Sequence, residues 1–313
     1  MMAESALKLG EVGFAGDDHV LPFQVEGLDV RGRAVQLGPM LDTILGRHNY
    51  PAPVARLLAE AITLTVLLGT SLKFEGKLIV QIKGDGPVDL LVADFAAPEN
   101  VRAYARFDQG ALDAAIAAGA TEPHELLGKG ILAFTIDQGA HTQRYQGIVP
   151  LEGASIGEAA EHYFEQSEQI SSLIKIAARH DAEAGCLAGG LLLQHLPEGE
   201  VGRDRLHVRH DNPEWDHART IAATLKDAEL TDPATSLETL AWRLFHEDEV
   251  RVEPGAAVSR GCRCSTGYFA GVLAQFPVAE RADMADDAGN IVVDCAFCSR
   301  IFPIPLDEIS AGS

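Results

Sequence analysis

Alternating hydrophobic and polar positions predict several β-strands in the first two thirds of the chain. The stretch KLIVQIKGDGPVDLLVADF, residues 77–95, holds two β-rich runs around the turn residues Gly84–Pro87, which is typical of a hairpin. VRAYARF, residues 101–107, alternates like a half-buried strand, and ILAFTIDQGAHTQRYQGIVPL predicts a second hairpin that turns near Gln138–Gly139. AGGLLLQHLP, residues 188–197, is predicted to end this part of the chain as a further strand.

Two segments have the pattern of helices. PAPVARLLAEAITLTVLLGTSLK, residues 51–73, is apolar on nearly all sides and starts with two prolines. Arg56 and Glu60 interrupt it, and the uncharged run that follows is too short to cross a bilayer, so we expect a buried core helix. SIGEAAEHYFEQSEQISSLIKIA opens with a capping box between Ser155 and Glu158 and continues with helical periodicity. Adjacent antiparallel pairs broken by two helices predict an α+β fold.

The pattern changes after Pro197, where a polar, punctuated stretch begins. We therefore divide the chain into an α+β core domain (residues 1–198), a helical linker (199–258) and a small C-terminal segment (259–313) that holds four of the five cysteines. Apolar side chains at helical spacing in the linker, with Trp242 among them, form a stripe that we expect to dock on the core: Ile221, Leu225, Leu237, Leu240, Leu244 and Phe245.

The C-terminal segment contains Cys262 and Cys264 in a CxC motif, and Cys295 and Cys298 in a CxxC motif. Four thiolates in two clusters match the tetrahedral coordination of structural zinc, with Zn–S distances of about 2.3 Å. In an extended strand, residues two apart face the same side, so Cys262 and Cys264 are expected to point at one ion. The sequence predicts one zinc site, with Arg260, Arg263 and Arg300 offsetting its negative charge.

The same cysteines have redox chemistry open to them. A segment of this size has only marginal stability on its own. Binding of structural zinc contributes about 10–16 kcal/mol of free energy, which is comparable to the stability of a whole domain. An oxidised sulfur ligates poorly, and Cys295 and Cys298 are then spaced to close a CxxC disulfide. A bridge between Cys262 and Cys264 needs a bent backbone, because in a straight strand their Cα atoms lie near the upper limit of about 6.8 Å. This pair is a ligand pair or a disulfide, but not with one backbone shape.

Composition narrows the classes of partner. The chain of 313 residues has 46 acidic and 25 basic residues and a formal net charge of −21. A surface that acidic repels phosphate backbones and anionic lipid, which disfavours nucleic-acid and membrane partners. The first residues have no apolar core of a secretory signal, so we expect a cytoplasmic protein in which thiols stay reduced. No P-loop, nucleophile elbow or HExxH motif is present, which disfavours an enzyme.

The chain resembles the 33-kDa heat-shock protein family of bacterial redox-regulated holdase chaperones. The resemblance rests on the CxC and CxxC pairs separated by residues 265–294, and on segments such as RHNYPAPVARLLAEAITL, YQGIVPLEGASIGEAAEHYFEQSEQ and WRLFHEDEVRV. Two stretches depart from the family pattern. Thr266–Tyr268 follow the CxC unit where a charged run is expected, and the prolines of SRIFPIP are expected to shorten any final strand.

The resemblance implies a mechanism. In that family the zinc-bound, reduced form is inactive, and oxidation releases zinc, unfolds the switch and a metastable linker, and exposes a surface for unfolded client proteins. It implies that Cys262, Cys264, Cys295 and Cys298 ligate zinc and form the disulfides Cys262–Cys264 and Cys295–Cys298. It also implies an ATP-independent activity and a homodimer of the oxidised form. The linker stripe is the expected client-binding surface.

Other residues have simpler interpretations. Cys186 is expected to be a small buried hydrophobe. His195, His207, His210 and His217 lie at the start of the linker, where a solvated polar segment is favoured over a metal site. Two alternative functions stay open on the residues alone. One is a static zinc ribbon that serves as an interaction module, and the other is a thiol–disulfide oxidoreductase that uses CAFC.

Overall fold

The computed structural model describes residues 18–71, 76–139, 144–181, 185–196 and 212–309. The strands are β1 His19–Val25, β2 Val30–Leu37, β3 Lys77–Gly84, β4 Val88–Ala96, β5 Asn100–Phe107, β6 Gly130–Asp137, β7 Tyr145–Pro150, β8 Ser172–Asp181, β9 Gly185–His195, β10 Val250–Val252, β11 Ala256–Ala257, β12 Ser259–Arg260, β13 Asn290–Asp294 and β14 Ile301–Pro305. The helices are α1 Pro39–Leu45, α2 Ala52–Gly69, α3 Gln109–Ala117, α4 Pro123–Leu127, α5 Ile156–Tyr163, α6 Pro213–Ala223, α7 Asp227–Leu230, α8 Leu237–Phe245, α9 Thr266–Leu273 and α10 Val278–Met284.

An antiparallel sheet and a mixed sheet enclose the long helix α2. Across the described residues, the first sheet has the order β10-β1-β2-β9-β8, with β11 also on β1, and the second has the order β12-β5-β4-β3-β6-β7. Helix α2 contacts strands of both sheets, and its leucines belong to the largest hydrophobic cluster. By length and composition it is the helix in the described chain that could span a bilayer, yet 78% of it is buried. The predicted buried core helix is confirmed.

The two predicted hairpins are present. Strands β3 and β4 pair antiparallel from Lys77↔Ala96 to Lys83↔Leu90, and β6 pairs with β7 from Ile131↔Pro150 to Ile136↔Tyr145. The predicted strand near residues 188–197 is β9, which lies between β2 and β8. Its leucine run is continuous because both faces of the first sheet are covered. The α+β fold class is confirmed.

The predicted helix that begins at Ser155 is wrong in its second half. Helix α5 ends at Tyr163, a π-turn follows, and the chain then enters β8, which pairs along its whole length with β9. Pairing with a buried neighbour outweighs the local helical preference of this stretch. The capping interaction also differs from the prediction. The Ser155 hydroxyl accepts the Glu158 N–H at 3.1 Å, but the Glu158 carboxylate accepts the N–H of Ala154.

The linker helices α6, α7 and α8 cover the outer face of the first sheet. Four residues of the predicted stripe are buried there, Leu225, Leu237, Leu240 and Phe245, and Ile221 and Leu244 pack against the same cluster. The ring centroids of Phe245 and Phe23 are 6.1 Å apart. Trp242, on the other side of α8, is 62% exposed. The predicted docking of the stripe on the core is confirmed.

The chain that follows the linker helices continues into both sheets. Strands β10 and β11 pair with the outer edge of β1, and β12 pairs with the outer edge of β5 in parallel register. The predicted domain boundary at residues 258 and 259 therefore lies between β11 and β12, and the one at residues 198 and 199 lies outside the described residues. The domain limits stay a prediction.

The C-terminal segment has a small core of its own, built mainly on α9 and the β13–β14 hairpin: Leu273, Ile291, Phe302, Ile304 and Ile309 are buried in it together with two cysteines. The prediction that the prolines of SRIFPIP shorten the final strand is wrong. Strand β14 spans Ile301–Pro305 and pairs with β13 along its whole length. The Cys295 N–H donates to Arg300 O and the Leu306 N–H to Gly289 O. Hydrogen-bonded and non-hydrogen-bonded residue pairs alternate along this antiparallel ladder. Pro303 and Pro305 fall in the non-hydrogen-bonded pairs, where a backbone N–H is not required.

Candidate metal centre

The CxC pair leaves the second sheet directly after β12. The Gly261 N–H donates to Val101 O at 2.8 Å, and the chain then runs through Cys262–Cys264 without regular structure. A side chain at Gly261 would meet Asn100 Oδ1 at 2.2 Å, so this close approach requires glycine. The expected extended strand at the CxC pair is not formed. The sulfurs of Cys262 and Cys264 nevertheless lie on one side, 3.3 Å apart.

The CxxC pair forms a tight turn between β13 and β14. The Cys295 carbonyl oxygen accepts the N–H groups of Cys298 at 3.1 Å and Ser299 at 2.8 Å. Ser299 adopts a left-handed conformation, with φ of 52°, that reverses the chain. Both cysteines are buried, at 4% and 1% exposure. The turn fixes two sulfurs at the end of the hairpin.

The two pairs meet. The Sγ of Cys262 is 3.7 Å from that of Cys295, and the Sγ of Cys264 is 3.4 Å from that of Cys298. All four sulfurs lie within 4.8 Å of one another. A tetrahedron with Zn–S distances of about 2.3 Å has edges of about 3.8 Å, so the observed spacing fits a tetrahedral ion held by sulfur. In the part of the chain that the structure describes, this is the group of side chains able to hold a metal.

The electrostatics of the cluster favour a negative charge on Cys262. Burial alone raises the pKa of that thiol, but hydrogen bonds with the Cys264 backbone and with the neighbouring cysteine side chains bring the pKa down to about 7. Burial is the largest cause that raises the pKa of Cys295, and hydrogen bonding with Cys262 raises it further. Because thiolates are the metal-binding form of cysteine, Cys262 is the sulfur best prepared for ligation.

Arg263, between the two cysteines of the CxC motif, was predicted to offset the charge of the thiolates. Its side chain instead faces the core. Its guanidinium lies 2.7 Å from Oδ2 of Asp94, a carboxylate of β4 that is only 2% exposed. The same oxygen accepts two N–H groups of Arg102, at 3.0 and 2.8 Å. A buried carboxylate of the core thus binds the cysteine-containing segment through a shared ion pair.

The CxxC turn also contacts the core. The Phe297 ring has the Arg102 guanidinium over its face, 4.0 Å from the centroid, and packs edge-on against Tyr104 at 4.9 Å. Ser299 Oγ lies 2.9 Å from Nδ1 of His48. Sequence reasoning missed these residues. A signal was available at Asp94, which is one of only two carboxylates, with Asp89, in the otherwise apolar strand VDLLVADFA.

The remaining predicted residues lie apart from the cysteine cluster. Cys186 is 3% exposed, and burial raises its pKa to about 12, which confirms a buried thiol. His195 Nε2 is 2.7 Å from Asn212 Nδ2, and His217 is 3.9 Å from Asp248. His207 and His210 lie outside the described residues.

Comparisons with known proteins find relatives over most of the chain. A family model described as Hsp33 protein matches residues 18–304. A 33 kDa chaperonin of Caulobacter vibrioides is 42% identical over 293 residues, which are 92% of this chain and 95% of the relative, and one of Photobacterium profundum is 33% identical over 94% of each chain. The crystal structure of a 33 kDa chaperonin from Thermotoga maritima has the same fold, with a TM-score of 0.77 at 21% identity over 93% of this chain and 96% of that one. The chain therefore belongs to the Hsp33 family.

Proposed function

We propose that this protein is a redox-regulated, ATP-independent holdase that binds unfolded proteins under oxidative stress. The observation that carries the proposal is the meeting of four cysteine sulfurs from two distant segments, in a member of a chaperone family. We propose zinc as the ion, one per chain, held by Cys262, Cys264, Cys295 and Cys298. Bound zinc would keep the four sulfurs deprotonated and crosslink the segment.

Oxidation would reverse this crosslink. Each disulfide, Cys262–Cys264 and Cys295–Cys298, forms when two thiolates lose two electrons. Hypochlorous acid is a sufficient acceptor, because it is reduced to chloride and water. The sulfurs of Cys262 and Cys264 must close from 3.3 Å to about 2.05 Å. A disulfide sulfur is no longer a thiolate, so the segment loses the energy of metal binding, about 10–16 kcal/mol for structural zinc.

Loss of the C-terminal fold would then release the linker. Strand β12 joins the cysteine segment to the core, and the linker helices bury their apolar stripe against the first sheet. Undocking of these helices would expose Ile221, Leu225, Leu237, Leu240, Leu244 and Phe245, which we propose as client-binding residues. Contiguous apolar surface of this kind binds unfolded chains. The net charge of −21 would keep loaded complexes soluble. We propose that the protein acts in the cytoplasm and that its oxidised form is a homodimer.

A single experiment tests the proposal. The reduced protein is treated with hypochlorite, and metal release, far-UV circular dichroism and the suppression of aggregation of a denatured client are recorded together. The proposed switch predicts zinc release, lower helicity and new holdase activity. A static zinc ribbon would keep its metal and would not suppress client aggregation. An oxidoreductase would reduce a small disulfide catalytically without unfolding, which the burial of Cys295 and Cys298 disfavours.

A further inference from the structure

The outer edge of β5 is covered by chain that belongs to the cysteine segment. Strand β12 pairs with it in parallel at Ser259↔Asn100 and Arg260↔Val101. The Ser259 N–H donates to Glu99 O at 2.9 Å, and the Gly261 N–H donates to Val101 O. A short extended segment therefore already adds a strand to this edge, which is the way many proteins bind extended peptides.

Two side chains of the cysteine segment contact polar and aromatic residues beside that edge. Arg263 binds Asp94, whose Oδ1 is buried and accepts no hydrogen bond from the residues that the structure describes. Phe297 lies between the Arg102 guanidinium and the Tyr104 ring. When the segment leaves, Asp94 loses one of its two cations, and Arg102 and Tyr104 lose their aromatic partner. Two carbonyl oxygens on the β5 edge lose their donors.

We propose that the β5 edge is a docking site for extended client segments that carry a basic and an aromatic residue, and that the cysteine segment occupies it as an internal mimic of such a client. This inference rests on the proposed function, because the site opens only if the switch unfolds. The backbone of the client would replace β12, a basic side chain would replace Arg263 on Asp94, and an aromatic ring would replace Phe297. The net charge of −21 favours clients of positive charge.

The test uses the full chain after hypochlorite oxidation, with the reduced zinc-loaded chain beside it. The probe is a short fluorescein-labelled peptide, rich in Gly and Ser, that carries one Arg, one Val and one Phe. Fluorescence anisotropy measures its dissociation constant. We expect binding by the oxidised protein and none by the reduced one. Replacing the peptide's Arg with Glu, or its Phe with Ala, should weaken binding about tenfold or more, because charge-assisted hydrogen bonds and buried rings are lost.

Matched variants assign the site on the protein. Asp94→Asn should weaken binding about tenfold. Asp89→Asn is the control. Asp89 lies on β4 like Asp94 and forms an exposed ion pair, 2.7 Å, with Arg106 of β5, and among the described residues it has no hydrogen bond or ion pair with the cysteine segment. It should leave binding unchanged. Tyr104→Leu removes the aromatic partner without touching a charge, and it decides the matter if Asp94→Asn does not fold by circular dichroism.

The outcomes separate the two proposals. Equal binding of the Arg and Glu peptides, or unchanged binding by folded Asp94→Asn and Tyr104→Leu variants, would overturn the β5 site. If the oxidised protein still suppresses client aggregation in that case, the holdase function stands and its clients bind elsewhere. If oxidation produces no suppression at all, the proposed function itself fails.

Discussion

The packing of Phe245 allows the linker to be tested apart from the metal. Phe245 is fully buried at the end of α8, against Phe23 of the first sheet. Replacing a buried Phe with Ala costs about 3–5 kcal/mol through lost burial and the cavity left behind. Since about 1.4 kcal/mol is a factor of ten, the docking equilibrium of the linker should shift by roughly 10²–10⁴. The Phe245→Ala protein should therefore expose its linker with all four cysteines reduced.

The assay compares reduced, zinc-loaded Phe245→Ala with Trp242→Ala, a variant of the same helix at a residue that is 62% exposed. Exposed substitutions change stability within about 0.5 kcal/mol, so Trp242→Ala should behave like the native chain. Light scattering should show suppression of client aggregation by Phe245→Ala without oxidant, while a chromogenic chelator finds the metal retained. If limited proteolysis shows an open linker and the protein stays silent, undocking of the linker does not create the client surface.

Three further predictions follow from other contacts. Arg263→Ala removes a cation from buried Asp94, so peroxide should release zinc roughly tenfold faster than from the native chain, whereas Arg106→Ala, which breaks an exposed pair, should not change the rate. Burial raises the pKa of Cys186 to about 12, so iodoacetamide should label this thiol at pH 8 only after denaturation; labelling of the folded protein would contradict its burial. Burial, opposed by Arg56, raises the pKa of Glu60 from 4.5 to about 7. The unfolded chain therefore loses this proton at a lower pH than the folded chain, and the free energy of unfolding should fall as the pH rises from 4.5 to 7. Glu60→Gln should flatten that fall in thermal melts, and an unchanged profile would refute the assignment.

The sequence was sufficient for features set by local pattern. Alternation and turn residues predicted the β3–β4 and β6–β7 hairpins, and apolar residues on all sides predicted the burial of α2. The two cysteine motifs predicted a four-sulfur cluster, which the structure forms. Spacing alone did not predict the backbone of the CxC pair, because its path is fixed by the hydrogen bond from Gly261 to Val101.

Features set by distant partners were missed or mispredicted. The stretch around Leu173 has helical periodicity, but β9 pairs with it and makes it a strand. The prolines of β14 are tolerated because the register with β13 places them where no donor is required. Asp94, Arg102 and Arg263 come together from three separate stretches, so no local pattern shows that they form one ion-pair group.

The strand pairing of residues 250–260 bears on how steeply activation should depend on oxidant concentration. Within this one stretch, β10 and β11 are hydrogen-bonded to the first sheet and β12 is hydrogen-bonded to the second. The stretch is therefore attached to both sheets at once, and a force on one attachment is transmitted along the chain to the other. Both attachments should therefore detach in one concerted event, and the response to increasing oxidant should be a single steep transition.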